Sequence, residues 1–498
     1  MTAPNLSEFK KLARKGNLVA LFETIPADLE TPVSCFLKLA AKAPHAFLLE
    51  SAEQEERIGR YSFIGLNPRL IVNAEKGRVL IRENRSERVF ERPVLDVLKE
   101  QLAPFRLANA QSLPAFCGGF VGYLSYEMVQ EFEQIRLSQK KGPSLPEAIF
   151  FLSQELLIFD HFRKTLSIVV LVSVDPAKKL ERLYREAEKK VKAYLPQLQK
   201  PLPLGFEKGP HGRLQLQSNM SRRTFEKKVR RIKAYIKAGD CIQVVLSQRF
   251  SFQTKVDDFQ IYRALRSINP SPYMFYFRSG KFRLIGSSPE MLVRKTGKVA
   301  ELRPIAGTRP RGRTPEEDAA LEENLKKSAK EMAEHLMLVD LGRNDLGRVC
   351  LFNSVKMKDF ARVERYSHVM HLVSDVVGRL KPNQDAFDLL KATFPAGTVT
   401  GAPKIRAMQI IDELEEERRG AYAGCLGYIS FNRDMDMCLT IRTLVDDGRR
   451  IYLQAGAGIV KDSSPQREYQ ETVNKAKALF KALEALQGHG RSHASGHR

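Results

Sequence analysis

The sequence predicts an α+β protein organised in two regions. Three observations predict it. Apolar residues recur at helical spacing, as in Phe225, Val229, Ile232 and Ile236. Short continuous apolar runs of strand length occur in both halves, at 148–174 and again at 424–431, 437–444 and 451–460. One stretch rich in Pro, Gly and Gln, 199–218, separates a first region (1–200) from a second (218–487). A polar tail over 488–498 carries His489, His493 and His497 and reads as disordered.

The elements follow in order. Residues 148–174 read as two apolar strands around the turn His161-Phe-Arg-Lys, followed by a helix starting near Pro176. Ser221 suits an N-cap, and Gly239 stops the helix that it opens. Ile242–Phe250 reads as a strand. Thr314-Pro315-Glu-Glu317 fits a capping box with Pro at the first helical position. The helix it starts keeps Leu321, Leu325, Met332, Leu336 and Val339 on one stripe and carries Glu331 and Glu334. The last helix begins at Ser464-Pro465.

The chain has 498 residues, 43% of them hydrophobic and 28% charged, as in ordinary globular proteins. The N-terminal segment has no apolar signal core, and the longest apolar run, around Leu166–Val174, is too short to span a bilayer. Six scattered cysteines without a Cys-x-x-Cys pair suit a reducing cytosol and argue against a zinc site. A cytoplasmic protein without membrane partner is expected. The net charge of +23 raises nucleic acid, acidic metabolites or an acidic protein surface as partners. No nucleic-acid module accompanies it, so nucleic acid is not expected, and the basic runs at 178–192 and 222–237 read as solvated helix faces.

Two carboxylate pairs carry the first chemical signal. Glu331 and Glu334 are three residues apart, and so are Glu468 and Glu471 inside the last helix. Such spacing puts both members on one helix face. Two helices each offering a pair supply the oxygen ligands a hard divalent cation needs, although pairs of this kind usually decorate solvated faces. Gly397-Thr-Val-Thr-Gly-Ala-Pro-Lys404 is faintly P-loop-like but lacks Gly-Lys-Ser/Thr, and Gly424-Cys425-Leu-Gly has no partner histidine for a nucleophile elbow.

A series of motifs in fixed order then resembles the chorismate-utilising enzymes. It includes Leu48-Leu-Glu-Ser, Gly118-Gly-Phe-Val-Gly-Tyr, Ile242-Gln-Val-Val-Leu-Ser, Asn269-Pro-Ser-Pro-Tyr-Met-Phe, Ser288-Pro-Glu and Arg303-Pro-Ile-Ala-Gly-Thr-Arg. It continues with Glu334-His-Leu-Met, Phe394-Pro-Ala-Gly-Thr-Val-Thr-Gly-Ala-Pro-Lys, Ile441-Arg-Thr and Gln454-Ala-Gly-Ala-Gly-Ile-Val. The resemblance is strongest to the anthranilate synthase component I branch. It implies two large antiparallel sheets packed face to face and flanked by helices.

The resemblance also implies roles. Glu334 and Glu471 would hold Mg²⁺ against the ring carboxylate of chorismate, with Glu331 and Glu468 supporting. Gly456, Ala457 and Gly458 would offer backbone N–H groups, and Lys475 would share the face of Glu471, one helical turn on. Arg442 and Tyr422 would take the second carboxylate; read alone, Arg442 is a strand arginine in an ion pair and Tyr422 a core aromatic. Thr398 and Thr308 match hydroxyl donors lining the site. Glu290 matches the general acid for the departing 4-hydroxyl, and His371 the histidine beside the ring.

Two positions choose among family members. Relatives that use water carry Lys where Gln243 stands, and 4-aminating relatives carry a nucleophilic Lys where Ala306 stands. Both substitutions point to attack by ammonia at C2 and elimination of pyruvate; the alternative is another chorismate aminase, making aminodeoxychorismate or 2-amino-2-deoxyisochorismate. The resemblance further implies a separate glutamine amidotransferase subunit supplying ammonia. It also implies a regulatory L-tryptophan pocket formed by Glu50, Ser51, Pro272, Tyr273 and Met274. The chain itself contains no Trp.

Overall fold

Two twelve-stranded sheets dominate the computed structural model, which describes residues 2–51, 59–202, 216–366 and 369–488. Every pairing within them is antiparallel among the described residues. The first sheet runs through Leu18–Pro26, Thr165–Ser173, Glu155–Asp160, Tyr61–Leu66 and His45–Glu50. It continues with Tyr273–Ser279, Phe282–Ser288, Thr443–Asp446, Ile451–Ile459, Gln243–Phe252 and Gln217–Ser218. The second begins with Ile305–Pro310, Val369–Arg379, Val299–Leu302, Met291–Thr296, Met435–Leu439 and Cys425–Ser430. It goes on to Gly119–Leu124, Ala148–Ser153, Leu70–Glu75, Arg78–Glu83 and Ser86–Phe90. Each sheet therefore joins strands from both regions. The seams are the pairing of His45–Glu50 with Tyr273–Ser279, Glu50 opposite Met274, and of Gly119–Leu124 with Cys425–Ser430.

The largest apolar cluster includes Phe47, Phe120, Phe150, Phe277, Leu292, Val293 and Leu426, side chains from both sheets. A second cluster covers the first sheet with helices: Leu180–Leu198, Asp258–Ile268 and Pro465–Gly488 each contribute buried residues. Burial at this scale is the main stabilising contribution.

Several expectations hold and several are corrected. Ser221 caps Arg222–Ala238 by accepting from the Thr224 N–H, and Gly239 ends that helix at φ +82°. The run at 148–174 forms three strands rather than two, because the chain changes sheet at Gln154. The helix expected near Pro176 begins at Leu180. The single helix expected from Thr314 is two, Pro315–Lys327 and Ala329–Val349, because Ser328 stops the first and caps the second. Leu336 then falls outside the buried stripe and is 47% exposed. Residues 437–444 are not one strand: Met435–Leu439 belongs to the second sheet and Thr443–Asp446 to the first. The tail histidines and most of the 199–218 linker lie outside the described residues. No helix among the described residues is long and apolar enough to cross a membrane.

Candidate active site

Two crossings between the sheets build the centre of the site. After Phe282–Ser288 the chain passes through Pro289-Glu290 into Met291–Thr296, and after Met435–Leu439 it returns through Thr440-Ile-Arg442 into Thr443–Asp446. The crossings run side by side. Leu439 N–H donates to the Glu290 carbonyl at 3.0 Å, and Ser287 N–H donates to the Arg442 carbonyl at 3.2 Å. Arg442 adopts φ +49°, a left-handed turn that reverses the chain between layers. It is thus neither in a strand nor ion-paired, since among the described residues no carboxylate lies within ion-pair distance of its guanidinium. Burial lowers its pKa and the Glu290 charge opposes that shift.

Glu290 is 9% exposed and its pKa rises to about 7. Burial is the cause, outweighing Thr398, Lys475 and Arg442, which all pull it down. Thr398, at the start of the short helix Gly397–Thr400, has its Oγ1 sealed from solvent; it faces the carboxyl without closing a hydrogen bond of normal geometry.

The strand Ile451–Ile459 forms the floor. Its pairing with Thr443–Asp446 covers only residues 451–453, so beyond Leu453 one edge has no strand partner among the described residues. Gly456 and Gly458 lie on that free length. A Cβ on Gly456 would stand 2.5 Å from the Tyr422 hydroxyl, and one on Gly458 would stand 2.3 Å from Gln243 Nε2. Glycine is required at both positions for these side chains to approach. Ala457, between them, packs its methyl in a separate core with Phe225 and Val229, so it offers the site backbone only. Lys475 Nζ donates to the Gly456 carbonyl at 2.9 Å and pairs with Glu471 at 2.7 Å.

The acidic side is formed by the helices Ala329–Val349 and Pro465–Gly488. Gln243 is 3% exposed and its Nε2 donates weakly to Glu334 at 3.4 Å. The pKa of Glu334 is raised, first by burial and then by Glu331; Glu471 adds to it. Glu468 is raised by burial and by Glu471, against a hydrogen bond from Ser463. Glu331 turns to Arg309, 3.1 Å away. Glu334 and Glu468 have no ion-pair partner among the described residues, whereas Glu471 pairs with Lys475 and Glu331 with Arg309. Two unpaired carboxylates raised by burial and by like charge are what a divalent cation such as Mg²⁺ would stabilise. Among the described residues no group of three or more His, Cys, Asp or Glu is placed to hold a metal ion. A cation held here would have few protein ligands, leaving its remaining positions to substrate and water.

His371 faces the same space from Val369–Arg379. The opposing strand bulges between Ala306 and Thr308, with Gly307 at φ +63°. The bulge turns the Gly307 carbonyl to His371 Nδ1 at 2.9 Å and the Thr308 hydroxyl to the same nitrogen at 3.1 Å. A carbonyl only accepts, so Nδ1 carries the proton and Nε2 is the basic nitrogen. Burial, Arg442 and Lys475 lower the pKa of His371, keeping it neutral near pH 7.

The other readings resolve cleanly. Cys425 is buried and its thiol pKa is pushed up, which suits a core cysteine. Lys404 pairs with the buried Asp345 at 2.7 Å and is engaged in structure. Glu50, Ser51, Pro272, Tyr273 and Met274 line one cavity of about 370 Å³ at the first seam between the regions. Glu50 accepts there from Tyr262 and from Arg266. A network that the sequence did not single out sits under the site. Arg419 and Glu415 form a buried pair at 2.7 Å; Arg419 also donates to the Val399 and Val245 carbonyls and stacks on Tyr422. It ties the Thr398 helix and Tyr422 to the strand carrying Gln243.

This geometry agrees with what the chain is similar to. The profile of the chorismate binding enzymes matches residues 44–481. Anthranilate synthase component 1 of Acetivibrio thermocellus is 46% identical over 97% of this chain and 99% of its own. That of Aquifex aeolicus is 47% identical over 96% and 97%. The crystal structure of anthranilate synthase component I from Streptococcus pneumoniae superposes with a TM-score of 0.77 at 38% identity, covering 92% of this chain and 99% of that one. The chain belongs to the chorismate binding enzyme family, in its anthranilate synthase component 1 branch.

Proposed function

We propose that the protein is the large subunit of an anthranilate synthase. It would aminate chorismate with ammonia and eliminate water and pyruvate, the first step toward tryptophan. The observation that carries this reading is the convergence of Glu290, Arg442, Tyr422, His371 and the two carboxylate helices on one space. Relatives named for this activity match across nearly the whole chain.

Glu334 and Glu471 would hold Mg²⁺, with Glu468 and Glu331 behind them. Bound there, the ion would neutralise the ring carboxylate of chorismate and fix the ring in place. The guanidinium of Arg442 takes the enolpyruvyl carboxylate, and the Tyr422 hydroxyl donates to it. Glu290, whose pKa of about 7 keeps a large protonated fraction at neutral pH, gives its proton to the 4-oxygen. As ammonia bonds to C2, both ring double bonds shift by one position (C1=C2 to C1=C6, C5=C6 to C4=C5) and the C4–O bond breaks, releasing water; the ammonium formed at C2 loses its extra proton to solvent. His371 Nε2 then removes the C2 proton; the enolpyruvyl oxygen departs as pyruvate and the ring becomes aromatic. Gln243, which is no base, leaves ammonia rather than activated water as the nucleophile, and Ala306 provides no covalent route.

Ammonia would come from a glutamine amidotransferase subunit. The 370 Å³ cavity at the seam would bind L-tryptophan as feedback inhibitor, joining strands from both regions. Incubation with chorismate, Mg²⁺ and ammonium, followed by chromatography, tests the reading. Anthranilate and pyruvate in equal amounts are expected; aminodeoxychorismate, the unaromatised aminated intermediate or no turnover overturns it.

A further inference from the structure

One cavity touching the site has no part in the chemistry above. It measures about 40 Å³, and its wall includes Glu290, Thr398, Arg303, Gly342 and Asp345. That volume holds roughly two or three waters, at about 15 Å³ each. The wall offers them polar partners. The Thr398 hydroxyl is sealed from solvent with no hydrogen-bond partner of normal geometry, and Glu290 and Asp345 are each 9% exposed. Arg303 is already engaged by Glu364 and Asp375. Among the described residues the two carboxylates of this wall are therefore Glu290 and Asp345.

Asp345 also leads outward. On the helix Ala329–Val349, Leu338, Leu341, Gly342 and Asp345 follow at helical spacing and line the cavity. Arg348, one turn further, lines a wide open cleft of about 580 Å³. Lys404 donates to both Asp345 oxygens, at 2.7 and 2.8 Å, and its neighbour Ile405 lines the same cleft. The Asp345–Lys404 pair thus stands between cavity and cleft. Burial raises the pKa of Asp345 against the pull of Lys404, which eases its protonation. Glu131, on the cleft wall, is raised to about 7 by burial, so it exchanges protons with solvent near neutrality.

We propose that Asp345 returns to Glu290 the proton lost in each turnover, through water held in this cavity. This rests on the functional reading above, in which Glu290 ends each cycle as a carboxylate. Asp345 takes a proton from water at the cleft. A cavity water accepts that proton as it passes one of its own to Glu290. The waters end unchanged, and Asp345 is again a carboxylate beside Lys404. The proton released from the C2 ammonium balances the one drawn from solvent.

The test follows anthranilate fluorescence by stopped flow, in the full chain with chorismate, Mg²⁺ and ammonium at a pH of about 6, where Glu290 starts protonated. Asp345→Asn should complete its first turnover within twofold of the parent rate, then settle to a steady rate at least tenfold slower. Added imidazolium, a small acid able to reach Glu290 through the emptied site, should restore the steady rate. A merely structural role would slow the first turnover as well and leave imidazolium without effect. First and later turnovers that fall together, or that both stay at parent values, overturn the proposal. If Asp345→Asn does not fold, Gly342→Ala decides. Its Cβ would stand 3.3 Å from Leu302 and 3.7 Å from Pro304 on the cavity wall, narrowing the water space in a helix that accepts alanine. A full first turnover with slowed later ones supports the relay, and any other pattern overturns it. No anthranilate from the parent fails the functional reading and the relay with it, whereas an active parent with unaffected variants fails the relay alone.

Discussion

Glu290 and Arg442 stand on neighbouring chain crossings between the two sheets, tied by the hydrogen bonds Leu439 N–H to Glu290 O and Ser287 N–H to Arg442 O. An acid and an unpaired cation are thereby fixed by backbone, not by loops free to drift. The arrangement also explains the electrostatics. Burial at the crossing raises Glu290 to about 7, and Arg442 is not close enough to cancel that.

The first prediction is the pH dependence of Glu290. Its active form is protonated, so kcat at constant free ammonia should fall as pH rises through about 7. Stability follows with a definite sign. A carboxyl raised in the folded state contributes stability below its unfolded pKa and loses it as pH rises through the folded value. Glu290→Gln should therefore stabilise the protein by about 3 kcal/mol at pH 8 and by nothing at pH 4. Denaturant melts at the two pH values check this; equal effects at both would refute the burial argument.

A second concerns Gly456 and Tyr422. Gly456→Ala should cost about 1–3 kcal/mol of stability and raise KM for chorismate, because its Cβ collides with the hydroxyl. Adding Tyr422→Phe should return about 1 kcal/mol in a double-mutant cycle. Strict additivity would show that the collision is relieved elsewhere.

The acidic helices give a third. Calorimetric titration with Mg²⁺ should show binding that weakens at least tenfold in Glu334→Gln and in Glu471→Ala. EDTA should abolish turnover, and Mg²⁺ should restore it. Glu331→Gln should have the smallest effect of the four, since that carboxylate turns to Arg309 on the strand Ile305–Pro310 and has only a supporting place in the site. Undiminished Mg²⁺ affinity in both Glu334 and Glu471 variants would remove these helices from the account.

The cavity at the seam gives a fourth. Ser51→Ala should raise the tryptophan concentration for half-inhibition at least tenfold while leaving kcat within twofold. Unchanged inhibition would assign the cavity no regulatory part.

Much of this was legible in the chain. Ser221, Gly239 and Pro465 mark helix ends by local chemistry, and those ends are where the sequence places them. The ordered motifs indicated both sheets and the family. What stayed hidden were changes of sheet inside continuous apolar runs. Residues 435–446 run on with neither Gly nor Pro to mark a break, and only the backbone at Arg442 reveals the crossing. Gln154 is a one-residue crossing that leaves no compositional mark. Ser328 interrupts a stripe whose helical period continues on both sides, so periodicity alone could not find the break. The Arg419–Glu415 pair was missed because an i,i+4 ion pair in sequence gives no sign of burial.

The central claim is a division of labour between the two crossings. Steady-state kinetics with ammonium and saturating Mg²⁺ test it most directly. Glu290→Gln should lower kcat by a factor of about 100–10,000 with KM for chorismate within a few fold. Arg442→Ala should raise KM by a factor of about 100 or more. Parent-like constants in both variants, or a Glu290→Gln effect confined to KM, would contradict the account.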